Sequence, residues 1–194
     1  MRVIPASEQR RLRWKNDGGW TTEIARDPLA GDAFRWRISI ADIERDGPFS
    51  PFPGIDRHLL LLSGNGIELD IDGAPPQRLV QRFGCVRFAG EATVDCRLLG
   101  GPTRDFNLMV QRATLRAEVV ARPLIGSMLI FAREGVEWLI HVLAGHLQAQ
   151  GEGRALDAAT GDTLHIDRRG ASGTSRIALD GGGELVLVQL LPPD

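Results

Sequence analysis

The clearest structural signal in the chain is the stretch RHLLLLSGNGIELDID at residues 57–72. Four consecutive leucines at 59–62 are followed at once by Ser63-Gly64-Asn65-Gly66. A short apolar run that ends in such a cluster is typical of a strand buried on both faces and followed by a hairpin turn. The returning residues 67–72 alternate between apolar and acidic side chains, as a strand with one buried face does. The stretch therefore predicts a β-hairpin.

Similar patterns recur in both directions from this hairpin. Residues 36–41 alternate cleanly, and residues 85–99 resemble another hairpin around Gly90-Glu91. In the second half, residues 137–150 resemble a strand, a turn at Ala144-Gly145-His146 and a return. Further strands are expected at 163–166 and 184–191. Many short strands without an alternating helical pattern predict an all-β sandwich or barrel with few helices.

Two features leave alternatives open. Leucine-rich runs precede both Gly64 and Gly145, which is weak support for an internal duplication because short matches arise by chance. The connection between the halves is expected within residues 111–130. Residues 111–122 fit either a short helix or a strand, since periodicity does not decide between them.

Composition excludes several classes of function. Of the 194 residues, 43% are hydrophobic and 25% charged, which is an ordinary globular balance, and the formal net charge is −2. No basic field would attract nucleic acid, and no apolar run is long enough for a secretory signal or a membrane span. The sequence therefore predicts a cytoplasmic protein that binds neither nucleic acid nor membrane. It leaves the oligomeric state open, a homodimer included.

The two cysteines are too few for a disulfide framework and lack zinc-type spacing. If Ala89 faces Ala92 across the turn at 90–91, the same register pairs Cys85 with Cys96 on adjacent strands. We expect both to remain thiols in a reducing cytoplasm.

One strand separates polar from apolar side chains. Trp36, Ile38 and Ile40 share one face, and Arg37 and Ser39 share the other. In a barrel one face points inward. If the polar face does, a guanidinium and a hydroxyl enter a cavity, a combination that suits a carboxylate. The alternative is a solvent-facing strand surface.

Other polar segments carry the same ambiguity. Residues 15–19, Lys-Asn-Asp-Gly-Gly, fit either an anion site with exposed N–H groups or an ordinary hairpin turn. Arg57 leads into a buried strand and is either a rim or a pocket residue. Residues 105–107, Asp-Phe-Asn, either close the same pocket or form a turn held by their side chains.

Three segments, taken in order, carry a family resemblance. They are WKNDGGWTTEIA at 14–25, a second that runs from WRIS at 36–39 through DGPFS at 46–50 to FPGIDR at 52–57, and GPTRDFNLM at 101–109. Together they resemble the HutD/Ves family over nearly all of the first 112 residues. The second half is similar only in its strand pattern. One departure is Asp17, which occupies a position where the family usually has glycine.

The resemblance implies a bicupin, that is, two cupin-like jelly-roll barrels in one chain. The N-terminal barrel would span residues 1–112 and hold a ligand pocket, and the C-terminal barrel would span 113–194. The resemblance also implies a regulatory link to histidine utilisation through a metabolite such as formylglutamate or urocanate, although Ves-type members carry no such clear link.

The histidines argue against a metal. Metal-binding cupins share a His-x-His pair followed by a glutamate and a later histidine, whereas the four histidines here (His58, His141, His146 and His165) form no such set. No Gly-x-Ser-x-Gly motif is present either. We therefore expect no metal, no cofactor and no recognisable catalytic residue.

The leading hypothesis is a non-enzymatic protein that binds a small carboxylate and acts as a regulator or sensor. The first alternative is a metal-independent isomerase or hydrolase that uses Glu23, His58 or Asp105 as acid or base. The second is a partner-binding module with an exposed apolar patch. Glu23 is expected to pair with Arg37 and orient it, because an unpaired buried guanidinium is costly. The predicted ligand-binding residues are Lys15, Asn16, Glu23, Arg37, Ser39, Arg57 and Asn107.

Overall fold

The computed structural model describes residues 1–28 and 32–193, and these residues are almost entirely β-structure. The only helix among them is a single 3₁₀ turn at Ala6–Glu8. The strands are β1 (Arg2–Ile4), β2 (Arg10–Arg13), β3 (Gly19–Pro28), β4 (Phe34–Ile43), β5 (Gly47–Pro48), β6 (Ile55–Ser63), β7 (Ile67–Ile71), β8 (Gln77–Leu79), β9 (Cys85–Ala89), β10 (Val94–Leu98), β11 (Thr103–Gln111), β12 (Arg116–Ala132), β13 (Glu137–Gly151), β14 (Arg154–Ala159), β15 (Thr163–Asp167) and β16 (Ser175–Leu191). The predicted all-β class is confirmed. In the described part of the chain, no helix is long and apolar enough to cross a membrane.

The chain forms two compact units. The N-terminal unit comprises Gln9–Thr114, and the C-terminal unit comprises Leu115–Asp194 together with Met1–Glu8. The first residues belong to the second unit because β1 pairs antiparallel with β15, so that Arg2 lies opposite His165. Sequence alone had placed them in the N-terminal half, since strand pairing over such a long separation leaves no local pattern.

The N-terminal unit contains two sheets. One has six strands in the order β2-β3-β4-β11-β6-β9, and the other has four in the order β5-β10-β7-β8. Apolar side chains from both sheets form one core cluster, with Leu59 and Leu61 from the first and Ile67 and Leu69 from the second. Burial of such side chains is the main favourable term in folding. Each sheet keeps two edge strands, so neither closes into a barrel through hydrogen bonds between described residues.

The C-terminal unit is a six-stranded sheet in the order β1-β15-β13-β16-β12, with β14 also paired to β13. Of residues 111–122, which fitted a helix or a strand, residue 111 ends strand β11 and residues 116–122 belong to strand β12. The predicted turn at 144–146 is wrong, because β13 continues through it with a bulge between Val142 and Ala144. Gly145 permits this bend: its φ is +88°, and a Cβ there would lie 2.0 Å from the Gly182 carbonyl oxygen. Exposed apolar side chains lie along β12, namely Val120, Ile125, Leu129 and Phe131.

The predicted hairpin at 57–72 is only half correct. Both strands exist, as β6 and β7, but β6 belongs to the six-stranded sheet and β7 to the four-stranded one. The glycine-rich turn therefore passes the chain from one sheet to the other. Gly66 is required there, since its φ is +94° and a Cβ would lie 2.2 Å from the Leu79 carbonyl oxygen.

The predicted pairing of Cys85 with Cys96 is wrong for the same reason. Cys85 on β9 lies opposite Leu60, whereas Cys96 on β10 lies opposite Leu69. The two strands belong to different sheets, and their buried side chains meet within one core cluster instead of pairing edge to edge. Alternation locates a strand face, but it does not reveal whether the next strand joins the same sheet.

We expect only one cysteine to react in the native protein. Cys85 is exposed and Cys96 is buried at 3% exposure. Burial raises the pKa of Cys96 to about 12 and also raises that of Cys85, so alkaline conditions are needed for a measurable rate. A thiol-titrating reagent should modify one thiol per chain before denaturation and two afterwards. Two fast thiols in the native state would contradict the separation of the strands.

Candidate functional site

The N-terminal unit contains a cavity of about 650 Å³. It is bounded by the six-stranded sheet and by the segment that follows β5. The lining residues are Leu12, Arg13, Trp14, Lys15, Asn16, Thr21, Arg37, Ala41, Ile43, Pro48, Phe49, Ser50, Pro51, Phe52, Arg57, Leu59, Asp105, Asn107 and Met109.

Strand register brings the polar side chains to one face of the sheet. Strand β11 lies between β4 and β6, and Met109 is directly opposite both Arg37 and Arg57. Two residues along, Asn107 is opposite Ser39 on one side. Asp105 follows after two more residues. Directly opposed residues of antiparallel strands share a face, and residues two apart on one strand do as well. The polar face of β4 is thus the face that borders the cavity.

Arg57 is the most unusual side chain of this site. It is 7% exposed and forms no hydrogen bond or ion pair with any residue that the structure describes. Its guanidinium carbon lies 5.1, 5.8 and 5.0 Å from the ring centroids of Phe49, Phe52 and Phe88. Burial, together with the nearby Arg37, lowers the pKa of Arg57 to about 10, and Asp105 acts in the opposite direction. Aromatic faces attract this cation, but they satisfy none of its N–H donors.

Arg37 is held by a neighbouring strand. Its Nε donates a hydrogen bond to Oε2 of Glu23 at 2.6 Å, which is the pairing that the sequence analysis predicted. The carboxylate of Glu23 also has Arg26 Nε at 3.8 Å from its other oxygen. Glu23 does not line the cavity, so it acts as a positioning residue for Arg37.

Asp105 and Asn107 supply buried acceptors beside the two arginines. Asp105 is fully buried and Asn107 is 6% exposed. Neither carboxylate oxygen of Asp105 has a hydrogen-bond partner among the described residues, and neither does Oδ1 of Asn107. Burial raises the pKa of Asp105 to about 7 against the opposing effect of Arg57. Both residues lie within strand β11, so the alternative that residues 105–107 form a turn is wrong.

Ser39 lies beside this group without lining the cavity. Its side chain is 1% exposed, and its Oγ has no partner among the residues described. It is directly opposite Asn107, and Glu23 of β3 is opposite it on the other side. Of the two residues predicted on the polar face of β4, Arg37 therefore lines the cavity, whereas Ser39 is buried beside it.

The segment that holds Lys15 and Asn16 is a turn, and it also borders the cavity. Both line the cavity, and both belong to a turn in which Asn16 Oδ1 accepts a hydrogen bond from the Gly18 N–H at 3.1 Å. Asp17 adopts φ of +55°, a conformation that aspartate tolerates better than most residues. The turn at 14–19 thus presents one lysine and one amide at the cavity.

Among the three candidate acid–base residues, only Asp105 lines the cavity. His58 is opposite Leu108 and Arg87, on the face of the sheet that points away from Arg57 and Asp105. Burial lowers the pKa of His58 to about 4, so its imidazole is neutral near pH 7.

The C-terminal unit holds a cluster that spacing did not reveal. Glu137, His165 and Asp167 offer ligand atoms within 4.8 Å of one another. However, Arg169 lies 3.3 Å from Glu137 Oε1 and 2.6 Å from Asp167 Oδ2, and Arg2 Nε donates to His165 Nδ1 at 3.4 Å. These arginines already supply positive charge to the cluster, which fits an ion-pair network better than a cation site.

The chain is similar to a protein of the hutC 3′ region and to proteins named Ves. It is 45% identical over 120 residues to a 21.2 kDa protein in the hutC 3′ region of Pseudomonas putida, and 38% identical over 107 residues to protein Ves of Citrobacter koseri. These matches cover 61% and 55% of this chain. The chain spans 63% and 56% of the length of these curated relatives.

Solved structures agree over the whole chain. A conserved protein of Pseudomonas aeruginosa PAO1 superposes with a TM-score of 0.87 at 30% identity, and HutD of Pseudomonas fluorescens SBW25 with 0.79 at 32%. Each comparison covers 100% of this chain and 99% of the other. A cupin 2 conserved barrel domain protein of Leptotrichia buccalis gives a TM-score of 0.52 at 11% identity, over 89% of this chain and 88% of that one. At that identity it bears on the fold alone.

These observations define an all-β protein of cupin-like fold whose N-terminal unit holds a cavity lined by apolar, polar and charged side chains. A sequence model of the HutD family matches residues 6–187. The chain belongs to the HutD family.

Proposed function

We propose that the cavity of the N-terminal unit binds a small carboxylate. The observation that carries this proposal is Arg57, a buried guanidinium with no hydrogen-bond acceptor among the described residues. A buried charge without a partner costs several kcal/mol, so a protein that retains one at a cavity gains most when an anion fills it. A bound carboxylate would accept the N–H groups that the three phenylalanines cannot satisfy.

A second guanidinium supports a carboxylate over other ligands. Arg37 and Arg57 flank Met109 in one row of the sheet, and opposed strand residues have Cα atoms about 5 Å apart. Two long side chains that start about 10 Å apart can converge on one anionic group. Glu23 holds the Nε of Arg37 and leaves its terminal nitrogens for a planar acceptor. The cavity volume suits a small metabolite.

Membership of the HutD family supports a proposal for the biological role. We propose that the protein is a non-enzymatic regulator or sensor linked to histidine utilisation, that it acts in the cytoplasm, and that its ligand is a pathway carboxylate such as formylglutamate or urocanate. The relative in the hutC 3′ region and the HutD structure support this context. We also propose that the two units correspond to the two cupin-like halves of a bicupin, which the fold of the cupin 2 protein supports.

The proposal predicts that binding depends on both arginines. We expect Arg37→Ala and Arg57→Met to weaken binding of N-formylglutamate or urocanate by about 10- to 100-fold or more, since each loses charge-assisted hydrogen bonds. Arg37→Lys should weaken it too, because lysine lacks the planar fork. Titration calorimetry measures the affinities, and a thermal-shift screen identifies the ligand, since saturation at ~100 times Kd stabilises by about 2.7 kcal/mol.

Arg87→Met provides the matched control. Arg87 is exposed on β9, next to Phe88 in sequence, and its side chain points away from the cavity face. This variant removes one positive charge and should bind as the wild type does. Wild-type affinity in Arg57→Met, or equal losses in Arg57→Met and Arg87→Met, would refute the assignment.

A metal-independent enzyme is the second candidate, and Asp105 favours it. A buried carboxyl with a pKa near 7 in a cavity is suited to donate or accept a proton at neutral pH. Incubation of a bound ligand with a small amount of protein, followed by NMR of the ligand, separates the two functions. An unchanged ligand favours the sensor, and product that is lost with Asp105→Asn favours the enzyme.

A further inference from the structure

We propose that the ligand carries, a few bonds from its carboxylate, a hydroxyl or N–H group that donates to Asp105 and Asn107. This inference rests on the proposed carboxylate site and specifies the other end of its ligand. It makes the cavity selective for hydroxy, amino or amido acids over plain carboxylic acids of the same length.

The unsatisfied atoms of the cavity are divided by chemistry. Arg57 contributes unused donors, whereas the three side-chain oxygens of Asp105 and Asn107 have no partner among the described residues, and all three are acceptors once Asp105 is ionised. Buried polar atoms in folded proteins nearly always have a partner. No side chain in the described part of the cavity donates to these oxygens, which leaves them available to a donor on a bound molecule.

The two kinds of atoms are also separated along the sheet. The arginines lie in the row of Met109, Asn107 is two residues further along β11, and Asp105 is four. At about 3.4 Å per residue, the Asn107 row is ~7 Å and the Asp105 row ~14 Å from the arginine row. The long arginine side chains shorten the gap between the anion and the acceptors. A ligand that satisfies both ends therefore lies along β11, with its carboxylate at the arginines and its donor toward Asp105.

Burial makes this end discriminating. Asp105 is fully buried, and no described side chain donates a hydrogen bond to it. Asn107 is only 6% exposed. A site built to hydrogen-bond a ligand hydroxyl or amide rejects the analogue that lacks it, because the buried acceptor then stays unpaired. Once Asp105 is ionised, it would also disfavour a second carboxylate at this position, since like charges repel.

The test uses two series of probes that differ only in the donor. Unbranched alkanoates of three to six carbons are compared with the ω-hydroxy acids of the same chain lengths by titration calorimetry. We expect the wild type to prefer the hydroxy acid by about 10- to 100-fold at one chain length. In Asp105→Leu the preference should fall to about one, while alkanoate affinity is retained or improved.

The outcomes separate this inference from the proposed function. If alkanoates bind through Arg57 but no hydroxy acid is preferred at any length, the carboxylate site stands and the inference is wrong. A preference that persists in Asp105→Leu and in Asn107→Leu also overturns it, because the donor then binds elsewhere or through water. If neither series binds, the carboxylate site and the inference fail together. Circular dichroism and the melting temperature confirm that each variant is folded.

Discussion

Replacing Arg57 with methionine is expected to raise the free energy of unfolding of the unliganded protein by about 1–3 kcal/mol, although the same change is expected to weaken binding of the proposed carboxylate. A buried, unpaired cation is more costly than an apolar side chain of similar length. Methionine fits the surroundings, because Phe49, Phe52 and Phe88 surround the guanidinium and accept a flexible thioether well. The expected gain in the free energy of unfolding is a net value, from which the lost cation–π attraction of about 0.5–2 kcal/mol has been subtracted.

Urea denaturation of wild type, Arg57→Met and Arg87→Met at one pH measures the effect. The exposed Arg87 should change stability by less than about 0.5 kcal/mol when replaced. A gain in stability together with lost binding is the mark of a residue kept for function at the expense of the fold. Destabilisation of Arg57→Met by more than about 1 kcal/mol would instead mean that Arg57 is a structural residue.

The strands could be predicted from local sequence because their signal is local. Alternation at Trp36–Ala41 and the leucine run of β6 each mark a strand within a few residues. Pairing is a long-range property, and here local reasoning failed. The turn after β6, the connection from β9 to β10 and the bend within β13 all resembled hairpins in sequence. A glycine-rich segment permits a sharp change of direction, but the partner strand is set by packing of the whole core.

The same distinction explains the site. Alternation on β4 predicts that Arg37 and Ser39 share one face. The cost of an unpaired buried guanidinium predicts a partner for Arg37, which is Glu23. The central position of Arg57 depends on β11 inserting between β4 and β6, which no short pattern reveals. The aromatic surroundings of Arg57 come from two separate segments, the one that follows β5 and strand β9, for the same reason.

In the sequence, Asp-Phe-Asn at residues 105–107 resembles a turn, so the pattern indicates no more than a minor role for Asp105 in the site. Its importance comes from burial and from the absence of a donor among its described neighbours, which are properties of the fold. The signal that was available is the alternation of residues 103–111, in which Asp105, Asn107 and Met109 share a face. A strand with two amide or acid side chains on one face, between apolar neighbours, indicates a polar cavity.

Asp105→Asn is expected to gain stability over the wild type as the pH rises from about 4 to about 7. The pKa of Asp105 is raised from its ordinary value of 3.8 to about 7 in the folded protein. Between these values the carboxyl stays protonated when folded and ionises when unfolded, so rising pH favours unfolding. The stability that this group contributes is complete below about pH 4 and is lost as the pH passes through about 7. Three pKa units correspond to an upper bound of about 4 kcal/mol.

The charged and titratable groups that act on or beside Asp105 are Arg57 on β6, Asp42 on β4 and Cys96 on β10. Arg57 opposes the shift and Asp42 reinforces it, while Cys96 stays neutral throughout this range. The measurement is a set of urea denaturation curves for wild type and Asp105→Asn at pH 4.5, 6 and 7.5, values chosen to span about 4 to 7. Asp95→Asn is the control, since Asp95 is exposed on β10 and its curves should run parallel to those of the wild type. Parallel curves for Asp105→Asn as well would mean that Asp105 is ionised in the folded protein across this range. The cavity would then hold a permanent negative charge beside Arg57, and a carboxylate ligand would have to overcome that charge in order to bind.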